Sequence, residues 1–179
     1  MPVISVDQRD GARRATEHLL ALGHRTVWHI AGPEDWLEAR DRELGWRETL
    51  ERHGVGAPRV IRGDWSSRSG YEAGRSLAKE KDLDAVFAGN DQMALGLLRA
   101  FAEAGVSVPR DVRVAGFDDV PEAAYYIPPL TTVRPDFDAV AAASIDLRLA
   151  QITTGHRLGD RRVLTPTLIT RESVAAPRS

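Results

Sequence analysis

Residues 84–120 read "DAVFAGNDQMALGLLRAFAEAGVSVPRDVRVAGFDDV". A short apolar run, Asp84 to Ala88, stops at Gly89-Asn90-Asp91. Gln92 to Ala104 then carries apolar residues at helical spacing and closes at Gly105. Val112 to Gly116 is apolar again and ends abruptly in Phe117-Asp118-Asp119. A strand, a helix of this length and a second strand form a βαβ unit, in which the helix is the crossover that parallel strands require.

The same alternation extends in both directions. Upstream, Asp10 to Leu22 is spaced as a helix that ends at Gly23, and Thr26 to Ala31 as a strand that stops at Gly32-Pro33. Leu37 to His53 is a second helix, and Arg59 to Arg62 a short strand followed by Gly63-Asp64-Trp65. Ser66, Ser67 and Ser69 offer N-caps for a helix through Tyr71, Ala73, Leu77 and Ala78. Downstream, Pro121, Pro128 and Pro129 break the pattern; Asp136 to Ile152 is then helical, and Val163 to Thr170 reads as one last strand. Val3 to Val6 reads as a strand at the very start. Such alternation predicts an α/β fold, a doubly wound, mostly parallel sheet with helices on both faces. Ligands of such sheets bind at the carboxyl ends of the strands, where the strand order reverses.

The carboxyl-end junctions therefore decide the chemistry. They carry Glu34 and Asp35, Asp64 and Trp65, Asn90 and Asp91, and Asp118 and Asp119, with Arg40 and Arg42 on the helix after the first. On one rim they would offer an indole, an amide, carboxylates and a guanidinium. Vicinal hydroxyls of a sugar suit Asn, Asp and Arg, and the C–H face of its ring suits Trp or Phe; charge-assisted hydrogen bonds in a dry cleft are the strong ones. Asp118 is then a ligand acceptor, and Asp119 a cap for the following short helix or a partner of the adjacent loop. Each junction also has a plain structural reading, since Asx residues after strands commonly cap the next helix. Taken alone, Arg42 reads as a solvated helix residue or a partner for Glu38.

Composition narrows the classes. The chain has 179 residues, 42% hydrophobic and 28% charged, which suits a globular domain with its own core. A net charge of -2 suggests neither nucleic acid nor an anionic membrane as a bulk partner. With no cysteine there is neither a disulfide framework nor a thiolate metal site. His18, His24, His29, His53 and His156 lack metal-binding spacing, so no metal is expected. No nucleophile–base pair and no Gly-rich phosphate loop stands out, and no cofactor is expected. No run is long enough to span a bilayer, and no signal segment is visible, so a cytoplasmic protein without membrane contact is expected.

The chain also resembles the effector-binding core of the lactose-repressor/galactose-repressor family of bacterial transcription regulators, which has a periplasmic-binding-protein-like fold. The matching stretches are "VDQRDGARRATEHLLALGHRTVWHIAGP" (6–33), "EARDRELGWRETL" (38–50), "GDWSSRSGY" (63–71), "AVFAGNDQMALGLLRAFAEAGVSVPRDVRVAGFDDVPEAA" (85–124), "IPPLTTVRPDF" (127–137) and "LITRES" (168–173). The resemblance implies that Arg42, Asn90 and Asp118 contact the effector, that Trp65 stacks on a sugar and that Phe137 lines the cleft. Glu38 and Pro135 depart from the family pattern, and Glu38 is a candidate for a further hydroxyl, a cationic group or Arg42.

The resemblance further implies a C-terminal subdomain over residues 7–133 and 165–179. Residues 1–6 and 135–164 would be a remnant of the N-terminal one. The helix near 136–152, with Phe137, Val140, Ala143, Ile145, Leu147, Leu149 and Ile152 on its apolar side, would lack its usual sheet and is expected to pack elsewhere or on another chain. The implied partners are a small sugar, a second copy of the chain, and operator DNA reached only through a helix-turn-helix domain absent from this sequence. Two other classes stay open: a solute-binding protein of a sugar transport system, and an enzyme using Asp118 and Asp119 as acid-base or metal groups.

Overall fold

The computed structural model describes residues 3–154 and 161–174. It opens with β1 (Val3–Val6), α1 (Gln8–Ala21), β2 (Trp28–Ala31), α2 (Leu37–Arg52), β3 (Ile61–Arg62) and α3 (Ser67–Leu77). β4 (Ala85–Ala88), α4 (Asp91–Glu103) and β5 (Arg113–Phe117) follow, then a 3-10 turn at Pro121–Tyr125 and β6 (Thr131–Arg134). The chain continues through α5 (Phe137–Thr154), β7 (Arg161–Leu164) and β8 (Thr167–Ile169). Six strands form one sheet in the order β3-β2-β4-β5-β6-β8, parallel except for the β6–β8 pair. The order reverses between β2 and β4: the chain leaves β2 outward to β3 and returns on the other side.

Strand alternation puts neighbouring residues on opposite faces. On β4, Ala85 and Phe87 join Leu19, Trp46, Leu50 and Phe117 beneath α1 and α2. Val86 and Ala88 join Leu77, Met93, Leu97, Phe101 and Val114 beneath α3 and α4. Each large apolar side chain fully covered in this way contributes about 1.5–3 kcal/mol. His29 sits in the first of these cores, stacked on Phe87 with ring centroids 4.8 Å apart, and its Nδ1 meets the Phe87 carbonyl at 2.9 Å. Burial pulls its pKa down to about 4, so it is neutral near pH 7.

Two features differ from the sequence-based expectations. The last strand is two strands in two sheets, because Pro166 lies between them and has no N–H for a ladder. β7 pairs with β1, and β8 with β6. β6 itself was not predicted, since only four residues separate Leu130 from Pro135 and its "TTVR" carries no clear period. Among the described residues α5 packs mainly along β1, and Phe137 and Ile145 are 61% and 60% exposed. The side chains of Leu147, Leu149 and Ile152 lie outside the described residues, as do His156 and the segment 175–179.

Candidate functional site

The crevice begins at the reversal point. Helix α2 starts beside the end of β2 and brings Arg42 inward, where the guanidinium is only 7% exposed. Its Nε donates to Gln8 Oε1 at 2.8 Å, Nη1 to the Gly89 carbonyl, and Nη2 to Asp118 Oδ1 at 3.1 Å. The cation lies over the Phe117 ring at 3.7 Å and near the Trp65 ring at 5.5 Å. Burial lowers the Arg42 pKa and Asp118 opposes that shift. Burial likewise raises the Asp118 pKa, with Arg42 opposing. The pair holds two charges in a place neither would occupy alone. Arg42 therefore pairs with Asp118 and not with Glu38, and it is no solvated helix residue.

Each of the other junction residues is set by its own loop. Asn90 is the N-cap of α4: its Oδ1 accepts from the Met93 N–H at 2.9 Å, and its Nδ2 donates to the Trp65 carbonyl at 3.0 Å. The plain capping reading thus holds for Asn90, and the same side chain also braces the loop carrying Trp65. That indole lies flat across Gly32, where any side chain would collide with the ring. The non-glycine residues with positive φ among the described residues are Trp65 (72°), Asp118 (103°) and Asp119 (49°). Such conformations cost of order 1–3 kcal/mol each and gather at functional sites. All three lie at these strand ends.

The two adjacent aspartates have separate roles. Asp118 faces the crevice with 27% of its side chain exposed. Asp119 turns the other way and is 4% exposed, accepting from Arg171 at 2.7 Å and from Arg134. It caps no helix; it binds two guanidiniums on β6 and after β8. Behind them lies Asp91, fully buried: its Oδ1 accepts from the Thr132 hydroxyl at 2.6 Å and its Oδ2 from the Val120 N–H at 2.9 Å. Only glycine fits at Gly116 beside that carboxyl. Burial raises the Asp91 pKa to about 7. Asp91 therefore pins the loop that carries Asp118.

Arg42, Trp65, Asn90, Asp118, Phe137 and Glu38 all line one crevice of about 610 Å³, with Pro135. Gln8, Trp36 and Gln92 complete the lining and were not singled out from sequence. Gln8 belongs to a helix that follows a strand of the small sheet, so the junction rule for the main sheet missed it. Trp36 and Gln92 read as ordinary helix-start residues.

The groups left over define what the crevice can bind. Of the five N–H donors on Arg42, two have no acceptor among the described residues. Asp118 Oδ2 and one Asn90 N–H are likewise unengaged there. Two guanidinium donors, an amide donor and a carboxylate acceptor beside an indole form a set for a neutral polyhydroxylated ring. Among the described residues, no group of three or more His, Asp or Glu side chains could hold a metal ion, and no helix is long and apolar enough to cross a membrane.

In a doubly wound α/β domain the crevice at the strand-order reversal is the place where small ligands bind. Residues 16–174 match the periplasmic binding protein-like domain. The lactose operon repressor of Escherichia coli K12 is 37% identical over 99% of this chain and 50% of its own length. The ribose operon repressor of the same strain is 36% identical over 91% of this chain and 50% of its own. Among solved structures, a lac repressor dimer bound to operator and the anti-inducer ONPF superposes with a TM-score of 0.89 at 37% identity, covering 97% of this chain and 60% of that one. A complex of the regulator CelR with cellobiose also gives 0.89, at 36% identity over 95% and 53%. The chain belongs to the periplasmic binding protein-like family, in the branch of the lactose-repressor/galactose-repressor regulators. It spans about half the length of the curated relatives it matches. Those relatives are transcriptional repressors, not enzymes.

Proposed function

We propose that this chain is the effector-sensing part of a bacterial, cytoplasmic transcription regulator, and that its crevice binds a small saccharide. In this reading Arg42, Asn90 and Asp118 hold ring hydroxyls, Trp65 stacks on the C–H face of the ring, Phe137 closes one side and Glu38 adds a contact. The observation that carries it is the unengaged set of donors and an acceptor on Arg42, Asn90 and Asp118 around one indole. Residues 7–133 and 165–179 act as one subdomain, and 1–6 with 135–164 as part of a second. The separate small sheet of β1 and β7 supports that division. Ligand between the two shifts a two-state equilibrium in a homodimer and so alters binding to operator DNA by a helix-turn-helix domain outside this sequence. No cofactor takes part.

The test is a calorimetric or thermal-shift screen of mono- and disaccharides on the full-length protein, with Trp65→Ala and Asp118→Ala as controls. Binding of one saccharide, weakened by both substitutions, is the expected result. Binding that neither substitution touches refutes the site.

A further inference from the structure

A neutral amide holds Arg42 more closely than its carboxylate partner does. The Arg42 Nε donates to Gln8 Oε1 at 2.8 Å, whereas Nη2 reaches Asp118 Oδ1 at 3.1 Å. A charge-assisted bond from nitrogen to a carboxylate normally closes to about 2.7–2.9 Å. Asp118 therefore holds the cation loosely, while Gln8 and the Gly89 carbonyl hold it firmly.

The start of α1 keeps Gln8 in place. Gln8 is the first residue of that helix, yet the helix end does not need its side chain, because Asp7 Oδ1 already accepts from the Asp10 N–H at 2.8 Å. The amide crosses instead to Arg42, 34 residues further along the chain. The backbone beneath it is wedged on two sides. A side chain at Gly11 would collide with the Phe117 ring, and one at Gly45, a turn beyond Arg42 on α2, with the Arg9 carbonyl. The turn that carries Gln8 is thus pressed against α2 and against the ring on which Arg42 rests at 3.7 Å.

The Nε bond matters because Nε carries a single proton and Gln8 takes it. Without that acceptor a guanidinium only 7% exposed has an N–H with no partner. The nearest remedy is a two-pronged pairing of Nε and Nη2 with Asp118, a geometry that carboxylates accept well. That pairing consumes the Asp118 oxygen left for a ligand. Resting on the saccharide reading of the crevice, we infer that Gln8 is a positioning residue for the effector. Its amide oxygen holds the Arg42 fork off Asp118, and so keeps both groups free to engage hydroxyls.

The experiment uses the full-length protein. Gln8→Met removes the acceptor at nearly constant size, and Gln8→Glu keeps an acceptor oxygen at the same reach. Titration calorimetry with glucose, galactose, fructose, lactose and cellobiose reads affinity. Nitrogen–proton correlation spectra read the Arg42 Nε–H resonance, assigned by its absence from Arg42→Lys. Gln8→Met is expected to weaken the tightest of these sugars by about tenfold, as loss of a hydrogen bond to a charged group does, and to shift or broaden away the Nε–H signal. Gln8→Glu is expected to bring back both. Thermal midpoints show that each variant is folded. Unchanged affinity in Gln8→Met overturns the role, as does an Nε–H signal that persists there unshifted. Lost affinity with no recovery in Gln8→Glu also overturns it, since the Gln8 amide would then touch the sugar itself. The saccharide reading survives all three results. If no sugar of the panel binds the unaltered protein, both readings fall.

Discussion

The two edges of the six-stranded sheet use one backbone conformation for different purposes. At the amino edge, α1, α2 and α4 hand over to the next segment through Gly23, Gly54 and Gly105, with φ of 88°, 67° and 74°. Nothing lies within 4 Å of where a side chain would begin at any of them. Only a chain reversal is needed there, and glycine supplies it without steric cost. At the carboxyl edge the left-handed residues are Trp65, Asp118 and Asp119, which make it only under strain. The lesson is that the carboxyl edge retains side chains for which the backbone is badly suited. What compensates is a set of tertiary bonds: Asn90 to the Trp65 carbonyl, the Asp118 N–H to the Val133 carbonyl, and two arginines on Asp119.

The sharpest way to break that contrast is at Asp91, which pins the strained loop from below. Asp91→Ala strands the Thr132 hydroxyl in a fully buried site and the Val120 N–H in a half-buried one. Each buried group left without a partner costs about 1–3 kcal/mol, so a loss of about 3 kcal/mol in urea-unfolding free energy is expected. A loss under about 1 kcal/mol would show that the loop does not depend on Asp91.

Next in size is a pair of opposed pH dependences. Asp91 has a folded pKa of about 7 against 3.8 for an ordinary aspartate, so its contribution is complete below 3.8 and is lost as pH rises through 7. Between pH 5 and 8 that amounts to about 2–3 kcal/mol. His29 has a folded pKa of about 4 against 6.5, so its contribution is present above 6.5 and is lost as pH falls towards 4, by about 3 kcal/mol. The two slopes run in opposite senses over the same range and largely offset each other. Asp91→Asn, which can still accept from Val120, should therefore leave stability rising from pH 4 to 6.5. His29→Phe should leave it falling from pH 4 to 7. Urea denaturation across this range reads both. Parallel profiles for the two variants would contradict the assigned shifts.

How much of this was legible in the letters follows from the range of each interaction. Strand–helix alternation is local, and so is the rule that a parallel strand delivers its next residues to one rim. Trp65, Asn90 and Asp118 were accessible by that route, and Arg42 as a helix residue behind the first junction. Phe137 came from resemblance alone, because its helix follows β6, a strand of the main sheet whose letters carry no clear period. The partners of Asp119 lie 15 and 52 residues away, and Thr132 lies 41 from Asp91, so no window shows them. The split of the final strand was half visible, since Pro166 marks a break. That the two pieces enter separate sheets depends on β1, more than 150 residues earlier in the chain. Trp36 escaped because an indole at a helix start carries no pattern.

Smaller effects separate strain from chemistry at the two edges. Asp118→Ala keeps the strained φ and loses the carboxylate, whereas Asp118→Gly loses the carboxylate and relieves the backbone. Both should weaken saccharide binding by at least about 30-fold, roughly 2 kcal/mol, through the loss of a buried, charged hydrogen-bond partner. The glycine variant should nevertheless be more stable than the alanine variant by about 1 kcal/mol. Equal stability of the two would mean that the positive φ at Asp118 carries no strain.

At the amino edge the comparison inverts. Gly23→Ala introduces no contact, since the space around that position is open, so any loss is purely conformational. About 1 kcal/mol is expected, the difference between glycine and a β-carbon in the left-handed region. Asn tolerates that region better than other residues because its short amide hydrogen-bonds locally, so Gly23→Asn should cost only a few tenths of a kcal/mol. Chemical denaturation of the two variants side by side resolves that gap. If asparagine costs as much as alanine, the turn at Gly23 demands more than its φ. The amino edge would then share the constraint found at Trp65 and Asp118.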